Sequence, residues 1–268
     1  MQTSSLFIPA QTLLHRLHPV VKVLSLVLMF VPALAFNHPA WVGGVLALGI
    51  MCLLVAGGLH NLRRLAAFLS VLFILSSVLW ALFMVDLNPE EIHALFVIGP
   101  LTVSSESALY GLAMGCRITS FLIFGLVFVT STRPEEFTFA LRRFHLPSSV
   151  SLALSLSFRL LPSFLATVQT VKDAQQARGL ELNRGGLWTR LRRYLSLAAP
   201  VFGYALRQAD NLSRALEARG LMTAERSTEL RSFPVTWVDV GVIAGVVALA
   251  AGSLALRLAG YGELLPRI

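Results

Sequence analysis

The chain has 268 residues, 56% hydrophobic and only 13% charged, and its mean hydropathy is +0.72. A soluble domain carries about a quarter charged residues, so this composition excludes an ordinary globular enzyme and indicates a polytopic membrane protein. The formal net charge of +8 does not indicate nucleic-acid binding, because the cations are segregated along the chain rather than pooled on one domain.

A helix needs about 20 mainly apolar residues to cross a bilayer. Val20–Phe36 is a first, short span with Lys22 at its start, where a long side chain reaches the headgroups. Ala33-Leu34-Ala35 resembles a signal-peptide cleavage site, but the approach is long for one and uncleaved spans follow. Ala40–Leu59 and Leu65–Val85 are runs without a charge, Ser107–Ser131 is interrupted only by Arg117, and Pro234–Leu256 carries Asp239 near one end. These make five spans.

Orientation follows from the Lys and Arg residues. Arg16 and Lys22 precede the first span, Arg63 and Arg64 lie in the 60–64 connection, and residues 132–231 hold most of the 22 basic residues. Connections 37–39 and 86–106 hold none, and the second carries Asp86, Glu90, Glu91 and Glu106. The positive-inside rule then places the N-terminus and 132–231 in the cytoplasm and the C-terminus outside. The organisation expected is 1–131 with four spans, 132–231 as cytoplasmic or interfacial helices, and 232–268 with the last span.

Residues 132–231 read as amphipathic helices. Pro134–Phe144 has Glu135 and Glu136 in its first turn and Arg142 and Arg143 in its last, which complements the helix dipole at both ends. A second helix starts at Pro147-Ser148 and runs to about Arg178, with the stripe Leu152, Leu156, Leu160, Phe164, Val168, Val171 and Ala174. Pro162 is expected to kink it, and a sixth span here is interrupted by Arg159 and Pro162. After a turn-like Asn183–Gly186, a third helix runs from about Leu187 to Arg219. Its stripe is Leu187, Leu191, Leu195, Ala198, Phe202, Ala205, Ala209, Leu212 and Leu216, and Arg190, Arg192 and Arg193 near its start are placed to meet anionic headgroups.

The two long helices end alike, in Gln176-Ala177-Arg178-Gly179-Leu180 and Glu217-Ala218-Arg219-Gly220-Leu221. Either copy alone is ordinary helix termination, with glycine past the last turn and arginine within it. Two copies, each ending an amphipathic helix on one side of the membrane, indicate paired contacts with a soluble partner. An arginine there projects a fixed fork of donors suited to a carboxylate or carbonyl cluster.

With Leu14-His15-Arg16-Leu17-His18-Pro19 and Lys22, Thr132-Arg133-Pro134-Glu135-Glu136-Phe137, the Arg159…Pro162 pair and the doubled Ala-Arg-Gly, the chain resembles the T component of energy-coupling factor (ECF) transporters. The match covers most of the chain, and the doubled motif is its specific part. His18 departs from the pattern, since such proteins more often carry Asp before the proline. The resemblance implies that the long helices are coupling helices whose Ala177-Arg178-Gly179 and Ala218-Arg219-Gly220 ends dock in grooves of two cassette ATPase subunits. Their apolar faces would hold a membrane substrate-binding S component, for uptake of a vitamin or a transition-metal ion such as cobalt or nickel across a prokaryotic plasma membrane. ATP and Mg would sit on the ATPases, and this chain would bind no cofactor and do no catalysis.

The residues read without the resemblance agree with a non-catalytic role: no GxxxxGK[ST], CxxC, HExxH or GxSxG pattern is present. A lipid-modifying enzyme would need clustered carboxylates or histidines near the membrane plane, whereas the acids Asp173, Glu181, Asp210 and Glu217 are scattered and form no paired motif. A stand-alone permease or channel would need polar groups in several spans or matched halves. Arg117 is the one ionisable group deep in a span, a candidate functional residue whose structural alternative is bonding to backbone carbonyls. His15 and His18 make a poor metal site with no third ligand nearby, and interfacial positioning suits them better. Gly111…Gly115 and Gly241…Gly245 are read as packing faces that bring the fourth and fifth spans together. Cys52 and Cys116 read as buried spectators.

Overall fold

The computed structural model of the protein describes residues 12–83, 94–98, 101–144, 146–181, 186–220 and 234–260. Asp86, Glu90 and Glu91 of the acidic connection, and most of the Asn183–Gly186 turn, lie outside the described residues. The fold is that of an all-α polytopic membrane protein, with one small β-hairpin added. The chain divides into two compact units, residues 1–146 with 233–268, and residues 147–232.

The first unit begins with a single turn, α1 (Leu13–Arg16), followed by α2 (Pro19–Ala35) and α3 (Pro39–Val55). Both longer helices start on the same dipeptide. Proline at the first helical position has the right φ and no amide proton to leave unpaired. The preceding histidine supplies the cap: the Val20 amide donates to His18 Nδ1 at 3.3 Å, and the Ala40 amide to His38 Nδ1 at 3.2 Å. Three residues separate α3 from α4 (Leu59–Phe83), so Arg63 and Arg64 lie on the first turns of α4 rather than in a connection. Two strands follow, β1 (Ala94–Ile98) and β2 (Leu101–Ser104), paired antiparallel. Then come α5 (Ser105–Ser131), α6 (Pro134–Arg143) and, after the second unit, α9 (Trp237–Leu258).

α4, α5 and α9 are long and apolar enough to cross a membrane, whereas α2 and α3 have 17 residues each. At ~1.5 Å per residue those two rise about 26 Å, just under the hydrocarbon thickness of about 30 Å. α5 is the hub of the unit. Its buried residues include Ile123, Phe124 and Leu126, packed with Leu53, Leu69, Ala33 and Val45 from α2, α3 and α4. By contrast Phe68, Val71, Ile74 and Phe83 of α4 are exposed, as side chains solvated by lipid are.

The two glycine pairs do not meet. A methyl group at Gly111 or Gly115 would overlap Ser77 of α4, so these glycines let α4 lie against α5. Gly241 and Gly245 have nothing within 4 Å of a would-be Cβ. α9 packs on α2 instead, through a face that includes Val246, Ala250 and Ser253. The pairing expected from the motif alone fails because small-residue spacing specifies close approach but not the partner.

The second unit is a pair of long helices in contact, α7 (Ser148–Ala177) and α8 (Leu187–Ala218). Pro162 and Pro200 sit inside them. α7 is also long and apolar enough for a span. Its stripe is half-buried from Leu156 to Val171. On α8 Leu197 is buried, while Leu187, Leu191, Leu195 and Phe202 of the anticipated stripe stand exposed.

Candidate functional site

At one end of the first unit, five helix termini are joined by buried ions. Lys22, on the first turn of α2, is 6% exposed. Its Nζ donates to the His15 carbonyl at 2.9 Å, to the Ser131 carbonyl at 2.9 Å and to Glu136 Oε2 at 2.8 Å. An ammonium has three donors, and all three are used. A cation on the first turn of its own helix opposes the dipole. Here that is offset by carbonyls from the C-terminal ends of α1 and α5 and by a carboxylate on the first turn of α6. Lys22 therefore does not extend to the headgroups. Its partner lies 114 positions along the chain, which hydropathy alone does not reveal.

Asp239 completes this cluster. It is 2% exposed, and its two oxygens act on different helices. Oδ2 accepts from the Thr236 amide at 2.7 Å, closing the capping box that starts α9. Oδ1 accepts from the His18 amide at 2.6 Å, so the same carboxylate holds the start of α2. The His18 ring caps α2 and meets Phe139 of α6 edge-on at 5.9 Å. Burial pushes the His18 pKa below its usual value, Asp239 opposes that shift, and Arg143 adds to it. The neutral ring is the form that accepts at Nδ1. The Lys22 and Asp239 contacts bring the phrases around His15–Lys22 and Thr132–Phe137, distant in sequence, to one place.

Arg117 braces the opposite end of α2. It is 9% exposed. Nε donates to the Ala33 carbonyl at 2.9 Å, and one terminal nitrogen donates to the Phe36 carbonyl and, at 2.9 Å, to Asn37 Oδ1. The other terminal nitrogen lies 3.1 Å from Met114 Sδ. Arg257 near the end of α9 adds a longer contact to the Leu34 carbonyl. The guanidinium thus satisfies the carbonyls that every helix C-terminus leaves over. α2 is consequently held to α5 and α9 at both ends, α2 and α9 running parallel and α5 antiparallel to them.

In the second unit the repeated phrases have matching backbones. α7 ends at Ala177 with Arg178 as its cap, and Gly179 follows at φ +90°. The Leu180 amide donates to the Gln175 carbonyl at 3.0 Å and the Gly179 amide to the Gln176 carbonyl at 2.9 Å, the two bonds of a Schellman motif. α8 ends at Ala218 with Arg219 as its cap, and Gly220 follows at φ +68°. The Gly220 amide donates to the Glu217 carbonyl at 2.9 Å, the equivalent of the second bond. Left-handed backbone is strained for residues with a Cβ, which accounts for glycine in both copies. Ala177, Arg178, Ala218 and Arg219 are exposed. Neither guanidinium has an ion pair or hydrogen bond among the described residues.

Of the residues singled out in the sequence, the structure thus gives Arg117 a bracing role and presents two equivalent arginine ends on one helix pair. Lys22, Glu136 and Asp239 as a cluster were not apparent. The signal available was charge in an apolar setting at three helix starts, without any indication that they converge.

Apolar helices braced by buried ions define a multi-pass membrane protein. The family model described as cobalt transport protein, CbiQ, matches residues 10–230. The chain is 26% identical over 269 residues to the energy-coupling factor transporter transmembrane protein EcfT of Bacillus selenitireducens, covering 95% of this chain and 96% of that one. It is 29% identical over 258 residues to EcfT of Exiguobacterium sibiricum, covering 93% and 97%. A putative ABC transporter ATP-binding protein of Bifidobacterium longum is 30% identical over 261 residues; these are 92% of this chain but 32% of that protein, so the chain spans about a third of its length. The chain belongs to the cobalt transport protein (CbiQ) family, as a transmembrane component of ECF transporters in a prokaryotic cell membrane.

Proposed function

We propose that this chain is the membrane coupling subunit of an ATP-driven importer, passing the motion of two cassette ATPase subunits to a substrate-binding S component. The observation that carries the reading is the equivalence of the two helix ends. Arg178 and Arg219 are both cap residues, both exposed, both followed by a left-handed glycine, and both without an internal partner among the described residues. Two equivalent ends suit two equivalent subunits, each offering acidic groups to a guanidinium fork, with Ala177 and Ala218 permitting close approach. The similarity to part of a longer protein named as ATP-binding supports an ATPase partnership. ATP and Mg are held by those partners, this chain carries neither a cofactor nor a catalytic group, and the cargo is a vitamin or a transition-metal ion. The cation distribution puts the N-terminus and the coupling ends in the cytoplasm and the C-terminus outside.

The test is the double substitution Arg178→Glu with Arg219→Glu. The variant is expected to insert normally, to lose the ATPase subunits on purification in mild detergent, and to support no ATP-driven uptake. Retention of both ATPases with undiminished uptake would refute the reading.

A further inference from the structure

The opening turns of α8 border their apolar stripe with aromatic and arginine residues, a pattern that contact with an S component does not require. Leu187, Trp188, Leu191 and Leu195 are 88%, 82%, 51% and 63% exposed. At ~100° per residue they share an arc of about 100° on one side of the helix. Tyr194, 49% exposed, adjoins that arc on one edge, and Trp188 forms the other. Beyond Tyr194 lies Arg190, and beyond Trp188 lies Arg192. Each border therefore runs from apolar to aromatic to arginine. The first turn of α8 has no acidic residue. Arg193 is on the far side, where it donates to the Glu181 carbonyl.

We propose that this stretch is an interfacial anchor for anionic lipid. Its apolar arc enters the acyl boundary, Trp188 and Tyr194 lie at headgroup depth, and Arg190 and Arg192 reach along the sides to phosphates. Aromatic and arginine residues along both borders of an apolar arc characterise helices that lie in the plane of the interface. Arginine stems cover apolar surface while the guanidinium stays with the polar phase. Farther along α8, Phe202 and Leu206 are also exposed but have no arginine at their borders, so the lipid signature is confined to the first turns. The anchor would fix the end of α8 opposite Arg219, and it stands whether or not that arginine docks on an ATPase.

The full-length chain is reconstituted in nanodiscs of phosphatidylcholine alone or with about a third phosphatidylglycerol. A membrane-impermeant maleimide then reports on Leu195→Cys, in the apolar arc, and on Thr189→Cys, opposite it. Labelling of the parent chain corrects for Cys52 and Cys116. Near an anionic surface each arginine is worth about fivefold, so labelling at L195C is expected to slow by roughly 25-fold with phosphatidylglycerol. Labelling at T189C stays constant, R190Q/R192Q abolishes the lipid effect, and R193Q preserves it. Equal labelling of both positions in both bilayers overturns the proposal. So does protection that appears only with a protein partner, or a lipid effect that survives R190Q/R192Q.

Discussion

Replacing Glu136 by glutamine tests the ionic brace most directly. Glutamine keeps the length of the side chain and an oxygen that can accept from Lys22 Nζ, but it removes the counter-charge from an ammonium whose side chain is 3% exposed. Removing one partner of a buried ion pair costs about 3–5 kcal/mol, and the retained acceptor places E136Q near ~3 kcal/mol. Lys22→Met removes the buried cation instead. It leaves the His15 and Ser131 carbonyls without this donor, while Glu136, whose side chain is 17% exposed, keeps some access to water. Its cost is about 1–3 kcal/mol. Once the cation is gone the carboxylate has little to neutralise, so K22M/E136Q should resemble K22M alone, giving a coupling of about 2–3 kcal/mol between the sites. The assay is unfolding in mild-detergent micelles by titration with dodecyl sulfate, followed by tryptophan fluorescence. A cost below about 1 kcal/mol for E136Q, or strict additivity in the double variant, would refute the brace as the structure draws it.

Arg117→Lys keeps the charge but not the fork that spans the Ala33 and Phe36 carbonyls; a loss of about 2 kcal/mol is expected by the same titration, and a larger one for Arg117→Met. Gly115→Leu should separate α4 from α5 and sharply lower the yield of folded protein, whereas Gly245→Leu, facing open space, should be tolerated; size-exclusion profiles in detergent distinguish the two. His18 has a lowered pKa in the folded chain, so the unfolded chain takes up its proton first as pH falls. Its contribution to stability is therefore intact above the unfolded value of about 6.5 and is lost as pH falls through the lower folded value. Melting curves between pH 8 and pH 5 should show that loss, and His18→Asn, a neutral cap, should flatten it.

The spans were legible because a bilayer imposes a long apolar run that a single sequence displays. Helix starts and stops were legible too, at Pro134, Gly179 and Gly220, because they depend on neighbouring residues. Arg117 was open to two readings, and the structure supplies the carbonyl partners that one of them names. Lys22 was misread because its environment is made by Ser131 and Glu136, more than a hundred positions away. The glycine pairs were assigned the wrong neighbours for a related reason, since Gly111 and Gly115 show that a helix is close but Ser77 and Ala81 identify it. The hairpin at Ala94–Ile98 and Leu101–Ser104 has a local signal, β-branched and aromatic residues around Gly99-Pro100, but its strands are far too short to register as apolar spans.

Asp239 reaches from α9 to the amide of His18, just ahead of α2. During synthesis the N-terminal helix is therefore in the membrane, with its opening turn incompletely bonded, while more than two hundred further residues are made. The Asp239 bond to that amide forms when α9 arrives. The bond acts as a closing latch on the finished chain, and a truncation before Thr236 would leave the oldest part of the protein unsealed.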